Sequence, residues 1–291
     1  MAIHSSYKIV KLASGVHSVH SLAEGETFHP VIGPVAEAEA LYVKQLRLPE
    51  RLANHQGEFV IWDVGLGAAA NVLTVLRAMQ EIPTPLRILS FDHTLEPLQF
   101  AFEHAAELGY FDGYESIIEN FLRDHRASFT DGRRQIHWEL FLGDFPSLIR
   151  NPQFAIRNQS PHCILFDAFS PAKNPAMWTQ PLFAHLFRQL DPSRPCALPT
   201  YSRSTMLRVS LLLAGFYVGV GHATGEKEET TIAANTLELI AEPLDTKWLE
   251  RARNSTSAEP MWEPVYRQSP LAKKTWEKLR LHPQFIHHRS Q

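Results

Sequence analysis

The sequence predicts an α/β protein with a mostly parallel sheet that helices cover on both faces. Short apolar runs recur along the chain, most of them close on an aspartate, and stretches with helical spacing follow them. The length of 291 residues and a hydrophobic fraction of 44% are sufficient for a substantial core. Because strands buried on both faces and alternating with helices form parallel sheets, we expect a doubly wound arrangement.

The N-terminal region precedes this repeating pattern. Residues 7–31 form short alternating stretches separated by glycines, which predict small strands or a hairpin. Residues 35–52 are rich in helix formers up to Pro49 and predict a helix. We expect residues 1–57 to form a region of strands and helix that contributes to substrate binding.

Four apolar runs form the predicted parallel strands, and an aspartate stands at the end of each. The four acids are Asp63, Asp92, Asp144 and Asp167. Ligands of open α/β sheets bind outside the carboxyl ends of the strands. We therefore expect the four carboxylates to lie in one cleft.

An antiparallel strand pair is predicted at the edge of the sheet. After residues 196–202 and a helix-like stretch, the apolar runs at 216–221 and 236–241 follow each other with no helix between them. A parallel pair would need a long crossover connection, so these two runs predict antiparallel strands. The sheet domain is then expected to span residues 58–245.

Residues 246–291 are predicted to form a basic, aromatic C-terminal extension. They contain nine Lys or Arg and four Glu, an excess of +5, whereas the whole chain has a net charge of −3. Their aromatic residues include Trp248, Trp262, Tyr266 and Trp276. Either the rings dock the extension onto the main domain, or they stack on RNA bases while the cations contact phosphates.

Composition disfavours several classes of protein. No apolar run of about 18 residues occurs, so we expect a soluble, cytoplasmic protein without a membrane partner. Cys163 and Cys196 form no C-x-x-C pair and are expected to be small core residues. The His residues include no H-E-x-x-H motif, and no metal site is predicted.

A glycine loop follows the first predicted parallel strand. Gly65 and Gly67 lack side chains, so the backbone can turn tightly and a ligand can lie against it. Asp92 is placed to accept the hydroxyls of a ribose, and its alternative role is a helix N-cap. Asp144 can accept from an adenine amino group with Phe145 against the ring, or it can belong to a surface turn.

This pattern is compatible with two cofactors. Gly65-x-Gly67-x-x-Ala70 also satisfies the fingerprint of an NAD(P)-dependent oxidoreductase. The sequence indicates no second catalytic domain, and the predicted antiparallel edge pair is typical of Rossmann-like class I methyltransferases that use S-adenosyl-L-methionine. We therefore favour a methyltransferase and keep the oxidoreductase as the alternative.

The segment DAFSPAKNPAMW, residues 167–178, closely resembles the signature after the fourth strand in the methyltransferase part of the MnmC family. This family completes the 5-methylaminomethyl-2-thiouridine of the tRNA wobble position. The resemblance runs from about Gly15 to Pro243. DVGLGAAANVL is similar to the family's GFGTGLN loop, LPTYS to its LATYS and GEKEETTIA to its GKRE segment.

The N-terminal region also resembles that family. ETFHPVIGPVAEAEALYV is similar to its YHS..GA..E...V opening, with His29, Gly33 and either Glu37 or Glu39 at matching places.

This sequence departs from the family's pattern at several positions. Ala68 and Ala69 replace a Thr-Gly pair, Phe28 replaces a tyrosine and Pro30 a serine. Acidic residues interrupt the basic pair expected after Gly225. These changes keep open a second alternative, a non-catalytic RNA-binding protein that retains the methyltransferase fold.

The resemblance implies S-adenosyl-L-methionine as the cofactor, tRNA as the substrate partner and a separate FAD-dependent oxidase that acts earlier. We assign to the cofactor Asp63, Gly65, Gly67, Asn71, Asp92, Asp144, Phe145 and Asp167. We assign to the substrate His29, Lys173, Asn174, Tyr201 and Ser202. Asp167 is also the predicted catalytic residue, because a carboxylate at a strand end can orient an amine and accept its proton.

Lys173 and Asn174 lie between Pro171 and Pro175. Each proline fixes its own φ and biases the preceding residue away from helix, so a stiff, extended loop is predicted. Such a rim can present the lysine and asparagine to a phosphate or base edge. In the alternative interpretation the lysine is solvated and the asparagine caps a turn, while Tyr201 packs in the core.

Overall fold

Contacts divide the chain into two compact units, and the computed structural model describes residues 6–151, 159–225 and 228–286. The first unit comprises Met1–Phe145, Cys163–Asp167 and Ala223–Glu228. The second comprises Pro146–His162, Ala168–His222 and Glu229–Gln291. The regions that the sequence analysis bounded at residues 57 and 245 are defined by function and not by contacts, and these boundaries stay a prediction.

The first unit begins with the small antiparallel sheet that the sequence predicted. Its strands are β1 (Tyr7–Lys11), β2 (His17–Ser21) and β3 (Glu26–Thr27).

The helix predicted over residues 35–52 is not continuous. It consists of α1 (Pro34–Ala38), a π-helix (Glu39–Lys44) and α2 (Leu48–Ala53). Arg47 separates the last two because its φ of 51° lies in the left-handed region. Pro49 does not end a helix but lies in the first turn of α2, where a missing N–H is tolerated.

The main strands of the first unit are β4 (Phe59–Val64), β5 (Leu86–Asp92), β6 (Arg126–Asp131), β7 (Arg134–Leu142) and β8 (Cys163–Phe166). They lie in the order β8, β4, β5, β7, β6, and neighbouring strands are parallel except for the β6–β7 hairpin. The parallel strands confirm the predicted class. The hairpin was not predicted, because β6 alternates between exposed and half-buried residues instead of forming an apolar run.

The helices of the first unit that follow the glycine loop are α3 (Ala70–Ala78), α4 (Glu96–Glu103), α5 (Ala105–Leu108) and α6 (Glu115–Asp124). Gly109 ends α5 as its C-cap residue with a φ of 70°, a left-handed conformation that glycine adopts without strain.

The second unit contains the predicted antiparallel strands, with one correction. Its strands β9 (Ala197–Thr200), β10 (Tyr217–Gly221) and β11 (Thr230–Ala234) pair antiparallel in the order β10, β11, β9. Residues 236–241 were expected to form the second edge strand, but they contain a short 3₁₀ helix at Leu237–Leu239.

The threonines of β11 explain why its sequence was not recognised as a buried strand. Thr230 Oγ1 donates to the His222 carbonyl at 2.8 Å, and Arg208 Nε donates to Thr231 Oγ1 at 3.0 Å. Hydroxyls can be buried when they are hydrogen-bonded, so a central strand does not have to be an apolar run.

The helices α7 (Phe145–Arg150), α8 (Gln180–Gln189), α9 (Thr205–Ala214), α10 (Thr246–Arg253), α11 (Lys273–Leu279) and α12 (Pro283–Ile286) complete the α/β architecture. Among the residues with a described position, no helix is long and apolar enough to cross a bilayer. Cys163 and Cys196 are buried, and burial raises the pKa of the Cys163 thiol to about 12. Both behave as the small core residues that the sequence predicted.

Candidate active site

Asp63 is the next-to-last residue of β4 and is fully buried. Its Oδ2 accepts from Ser90 Oγ at 2.7 Å, while Trp138 Nε1 donates to the same hydroxyl at 2.9 Å. Burial is the main cause that raises the pKa of Asp63 to about 7; the Ser90 hydrogen bond opposes this, and the charges of Asp92 and Asp167 add to it. The three carboxylates therefore share one electrostatic environment at the strand ends.

Asp92, the last residue of β5, connects that strand to the glycine loop. Gly67 N donates to Asp92 Oδ2 at 2.9 Å, and His93 N donates to Oδ1 at 2.7 Å. The N-cap alternative is wrong, because α4 begins at Glu96 and Leu95 occupies its N-cap position. Thr94 N also donates to Oδ1 at 3.4 Å, and His93 Nδ1 lies 3.1 Å from that oxygen. Oδ2 has a second lone pair, so it is the oxygen with which Asp92 can still accept a ribose hydroxyl.

The glycine loop keeps a left-handed path although alanine replaces one glycine of the family pattern. Gly65, Gly67 and Ala69 have φ values of 93°, 53° and 60°. A Cβ on Gly67 would lie 3.2 Å from Phe28 Cε2, so the backbone passes close to that ring. Ala69 adopts a conformation that costs a non-glycine residue about 1–2 kcal/mol.

Asp167 follows β8 directly, and its backbone N donates to the Val64 carbonyl at 2.9 Å. Asn71 Nδ2 donates to Asp167 Oδ2 at 2.7 Å, and His29 Nε2 lies 3.5 Å from the same oxygen. The Asp167 side chain is 15% exposed. Three of the predicted site residues, 138 positions apart at their extremes, therefore meet at one carboxylate oxygen.

Glu37 is the second acid beside His29. The His29 Nδ1 lies 4.0 Å from Glu37 Oε1, and both side chains are almost fully buried. Glu39, which the sequence could not separate from Glu37, forms an ion pair with Lys44 at 3.0 Å instead. The φ of His29 is 49°, a left-handed conformation that turns its ring toward this pair of acids.

The loop after β7 approaches the end of β5. Gly143 N donates to the Asp92 carbonyl at 2.9 Å. Phe145 is buried, with its ring at 5.1 Å from Phe91 in an edge-on arrangement. Asp144 is exposed. The adenine contacts predicted for Asp144 and Phe145 stay predictions.

Lys173 and Asn174 lie in the second unit, and their loop is not extended. The Ser170 carbonyl accepts from Lys173 N at 2.9 Å and from Asn174 N at 2.8 Å, and a 3₁₀ helix follows at Pro175–Trp178. The expectation of an extended loop is wrong because the φ of a proline also suits the first central position of a turn, which Pro171 occupies. Lys173 is exposed and Asn174 half-buried.

Tyr201 supports the loop that follows Asp167. Its hydroxyl donates to the Ala168 carbonyl at 3.0 Å, and its ring packs edge-on against Trp178 at 5.8 Å. Trp178 Nε1 in turn donates to the Phe169 carbonyl at 2.7 Å. Ser202, also half-buried, accepts from a backbone N–H two residues later at 3.3 Å. The hydroxyl of Tyr201 therefore stabilises this loop, and the substrate contacts of Tyr201 and Ser202 stay predictions.

The segment around Gly225 packs on the turn that follows His29. Gly225 has a φ of 62°, and a Cβ there would lie 2.5 Å from Ile32 Cγ2 and 2.7 Å from Val31 Cγ1. Only glycine fits this approach without a shift of its neighbours. Glu226 and Lys227, part of the segment that resembles GKRE, lie outside the described residues.

The strand-end residues fit S-adenosyl-L-methionine better than a dinucleotide. Within the part of the chain that the structure describes, Asp63 Oδ1 and Asn71 Oδ1 are buried oxygens without a hydrogen-bond partner. Carboxylates at the ends of β5 and β8 favour a ligand with cationic sulfonium and ammonium groups and disfavour an anionic pyrophosphate. Throughout residues 6–151, 159–225 and 228–286, no group of His, Cys, Asp or Glu has the arrangement of a metal site.

Sequence reasoning found these acids but missed the residues that support them. Ser90 and Trp138 form the hydrogen-bond chain to Asp63, yet each lies inside an apolar run and resembles a core residue. A polar residue in an otherwise apolar strand was the available signal for Ser90.

Known proteins resemble this chain along most of its length. Residues 112–236 match a family described as S-adenosyl-L-methionine-dependent methyltransferase. A tRNA 5-methylaminomethyl-2-thiouridine biosynthesis bifunctional protein MnmC from Methylibium petroleiphilum is 31% identical over 81% of this chain and 35% of its own length. The protein of the same name from Aeromonas hydrophila is 30% identical over 70% of this chain and 32% of its own length. The chain therefore spans about a third of these relatives.

A solved structure shares the fold. The crystal structure of MNMC2 from Aquifex aeolicus has a TM-score of 0.70 and 23% sequence identity, and the match covers 96% of this chain and 85% of that chain. The predicted fold, cofactor and family resemblance agree with these findings. The chain carries a methyltransferase domain that depends on S-adenosyl-L-methionine and is related to part of the MnmC proteins.

Proposed function

We propose that this protein methylates the nitrogen of an aminomethyl group on the wobble uridine of tRNA. The names of its relatives refer to the biosynthesis of 5-methylaminomethyl-2-thiouridine. The last step of that biosynthesis requires such a methylation. Since the chain spans about a third of those relatives, the acceptor is part of the proposal.

The observation that carries the proposal is the way in which Asp167 is held. Asn71 Nδ2 donates to Asp167 Oδ2, and His29 Nε2 lies 3.5 Å from the same oxygen. The Asp167 side chain is 15% exposed. The remaining lone pairs of the carboxylate can therefore orient an amine and accept its proton. An amine is nucleophilic only when it is neutral, so a proton acceptor beside it supports N-methylation.

The cofactor supplies an electrophilic methyl group on a sulfonium when it is bound. We assign its binding to Asp63, Asn71, Asp92 and the glycine loop, with Asp144 and Phe145 for its adenine. Displacement at a methyl group depends mostly on alignment of the reacting atoms. The buried and hydrogen-bonded positions of Asp63 and Asn71 favour such alignment, because their side chains have little freedom to move.

Two alternative functions are less well supported. The acidic strand ends disfavour the pyrophosphate of NAD(P), which argues against an oxidoreductase. The left-handed Ala69 preserves the loop path despite the lost glycine, which argues against a fold that has lost its cofactor site. A thermal shift with S-adenosylhomocysteine and none with NADP would exclude the oxidoreductase, because ligands that bind only the folded state raise its melting temperature.

The proposal also includes the setting of the reaction. A FAD-dependent oxidase on a separate chain would act earlier and leave the aminomethyl group, and the reaction would take place in the cytoplasm. Residues 58–245 would carry the methyltransferase chemistry, with residues 1–57 contributing His29 to substrate binding. Lys173, Asn174, Tyr201 and Ser202 would complete the substrate contacts.

Transfer of a labelled methyl group to tRNA tests the acceptor. The substrate is tRNA from cells that lack this protein, and nucleoside mass spectrometry identifies the modified base. We expect the label on the aminomethyl nitrogen of the wobble uridine. Label on another nucleoside, or none on tRNA although S-adenosylhomocysteine binds, would contradict the proposed acceptor.

A further inference from the structure

Residues 246–286 contain a docked part and an exposed part. Trp248 of α10 is 5% exposed and lies parallel to the Phe285 ring at 6.4 Å. Gln284 accepts from Val218 N and donates to the carbonyls of Val218 and Leu244, each at 2.8 Å. The docking interpretation is therefore correct for α10 and α12, and removal of residues 246–291 would expose the core of the second unit.

Residues 262–270 form the exposed part, which we call the aromatic loop. All nine residues are exposed, and Trp262, Val265 and Tyr266 are 43%, 45% and 40% exposed. The base of the loop is closed where the backbone N–H groups of Ala258 and Glu259 both donate to the Ser269 carbonyl at 3.0 Å.

The carboxylate of Glu259 anchors the aromatic loop through hydrogen bonds. It accepts from Trp262 Nε1, from Ala272 N and from Thr275 Oγ1, each at 2.8 Å. Trp262 is thereby fixed by its ring edge while much of its surface stays open to solvent. A large apolar ring that is anchored at its edge and leaves 43% of its surface exposed points to a contact with another molecule.

Exposed cations lie in or shortly after the aromatic loop in the sequence, and they belong to the same unit of the structure. They are Arg267 in the loop and Lys273, Lys274, Lys278 and Arg280 on or beside α11. Glu263 and Glu277 are the exposed acids of the same stretch, so positive charge is in excess. Trp276 is different from the loop aromatics, because the Arg253 guanidinium lies over its ring at 5.0 Å.

We infer that the aromatic loop and the cations of α11 form a contact surface for single-stranded RNA. Bases stack on Trp262 and Tyr266, and the cations contact the phosphates. The anchoring by Glu259 lowers the entropy that ordering the loop would cost on binding. This inference rests on the proposed function, since the RNA would be the unpaired part of the tRNA substrate.

Binding of a labelled single-stranded oligouridylate to the full chain tests the surface. A length of about 12 nucleotides suits the site sizes of such surfaces. We expect W262A/Y266A to bind about tenfold or more weakly than wild type. An RNA duplex of equal charge should discriminate between wild type and variant much less, because its bases are not free to stack.

W262F distinguishes stacking from a structural role of the Glu259 bond. The variant keeps an aromatic face and loses the indole N–H that donates to Glu259, so we expect its affinity to lie between those of wild type and W262A/Y266A. If W262F binds as weakly as W262A/Y266A, or if W262A/Y266A binds like wild type, stacking on the loop is ruled out. Equal loss of duplex and single-stranded binding would also overturn the inference.

The phosphate contacts have their own matched pair of variants. K274Q removes a cation from α11, and R133Q removes an exposed cation from the β6–β7 turn. We expect K274Q, and not R133Q, to lower the slope of log affinity against log salt by about 0.7, the value for one phosphate of a single strand. Equal slopes for the two variants would remove α11 from the surface.

Failure of the surface is distinguishable from failure of the proposed function. S-adenosylhomocysteine affinity should stay at its wild-type value in W262A/Y266A, and the variant should stay folded at the assay temperature, with a melting temperature lowered only by the lost Glu259 and Gln268 contacts. A wild-type protein that methylates tRNA while the loop variants bind and turn over normally would refute only the surface. A wild-type protein that methylates no tRNA would refute the proposed function.

Discussion

The strand ends of the first unit and the aromatic loop of the second unit use polar and aromatic residues in opposite ways. At the strand ends, Asp63 is buried and Asp92 and Asp167 are half-buried, and the three carboxylates accept hydrogen bonds from Ser90, Gly67 and Asn71, respectively. In the aromatic loop, Trp262 and Tyr266 are exposed, and Glu259 fixes the position of the former.

This difference shows that burial governs the chemistry of the strand ends, whereas exposure governs that of the aromatic loop. Burial changes the protonation of an acid and so can prepare it for catalysis or cofactor binding. Exposure leaves protonation ordinary but makes an aromatic face available to a partner. Substitutions at the strand ends should therefore change stability, cofactor binding or turnover, whereas those in the loop should change mainly partner binding.

The largest effect is expected from Asp63→Asn on the pH dependence of stability. With a pKa of about 7 against an ordinary 3.8, folded Asp63 holds a proton that the unfolded chain releases between these values. Wild-type stability should therefore fall as pH rises toward 7, by about 3 kcal/mol between pH 5 and 8 relative to D63N. Urea denaturation at both pH values measures this difference, and parallel pH profiles would show that Asp63 is ionised when folded.

Asp167→Asn tests the proton acceptor. The amide keeps the shape of the carboxylate, so turnover should fall by about 10² or more while S-adenosylhomocysteine affinity changes less. D112N, which neutralises an exposed acid of the first unit, is the matched control and should turn over normally. Near-normal single turnover in D167N would show that Asp167 is structural.

Asp92→Ala should combine a binding defect with a stability defect, because Asp92 accepts the Gly67 N–H. We expect weaker S-adenosylhomocysteine binding by about 2 kcal/mol and a lower melting temperature. Calorimetry and thermal denaturation give the two quantities. A lower melting temperature with unchanged affinity would leave Asp92 as a connection of the loop and remove it from the cofactor site.

Ala69→Gly is expected to have the smallest effect. Glycine relieves the left-handed strain at φ 60° but adds freedom to the unfolded chain, so stability should be unchanged or rise by about 1 kcal/mol. Ala70→Gly, at the start of α3, has no such relief and should lose up to about 1 kcal/mol. Equal losses in both variants would indicate that Ala69 is not strained.

Several features of the site were predictable because they depend on local order along the chain. Each acid lies at or next to the carboxyl end of its strand, and parallel strands bring these ends to one edge, so Asp63, Asp92 and Asp167 were expected together. The choice of Glu37 over Glu39 was not predictable. It depends on the turn at His29 and on the π-helix, which changes the phase of the residues after Ala38.

The C-terminal extension shows the same limit on a larger scale. Its charge and aromatic content are visible in the sequence, and they allowed both docking and RNA contact. The structure assigns docking to Trp248 and exposure to Trp262. The sequences around Trp248 and around Trp262 are similar in composition, so the sequence alone could not show which ring is buried. The packing of α10 and α12 decides this.

The order of apolar runs, acids and glycines by itself determined the α/β class, the parallel strands and the position of the acids at their ends, because these follow from burial and from chain direction. Tertiary structure alone decided which side chains meet. Asn71 and Asp167 are 96 residues apart, yet they share a hydrogen bond at 2.7 Å. The physical reason is that periodicity specifies which face of an element is buried, whereas the partner on that face depends on how distant segments pack.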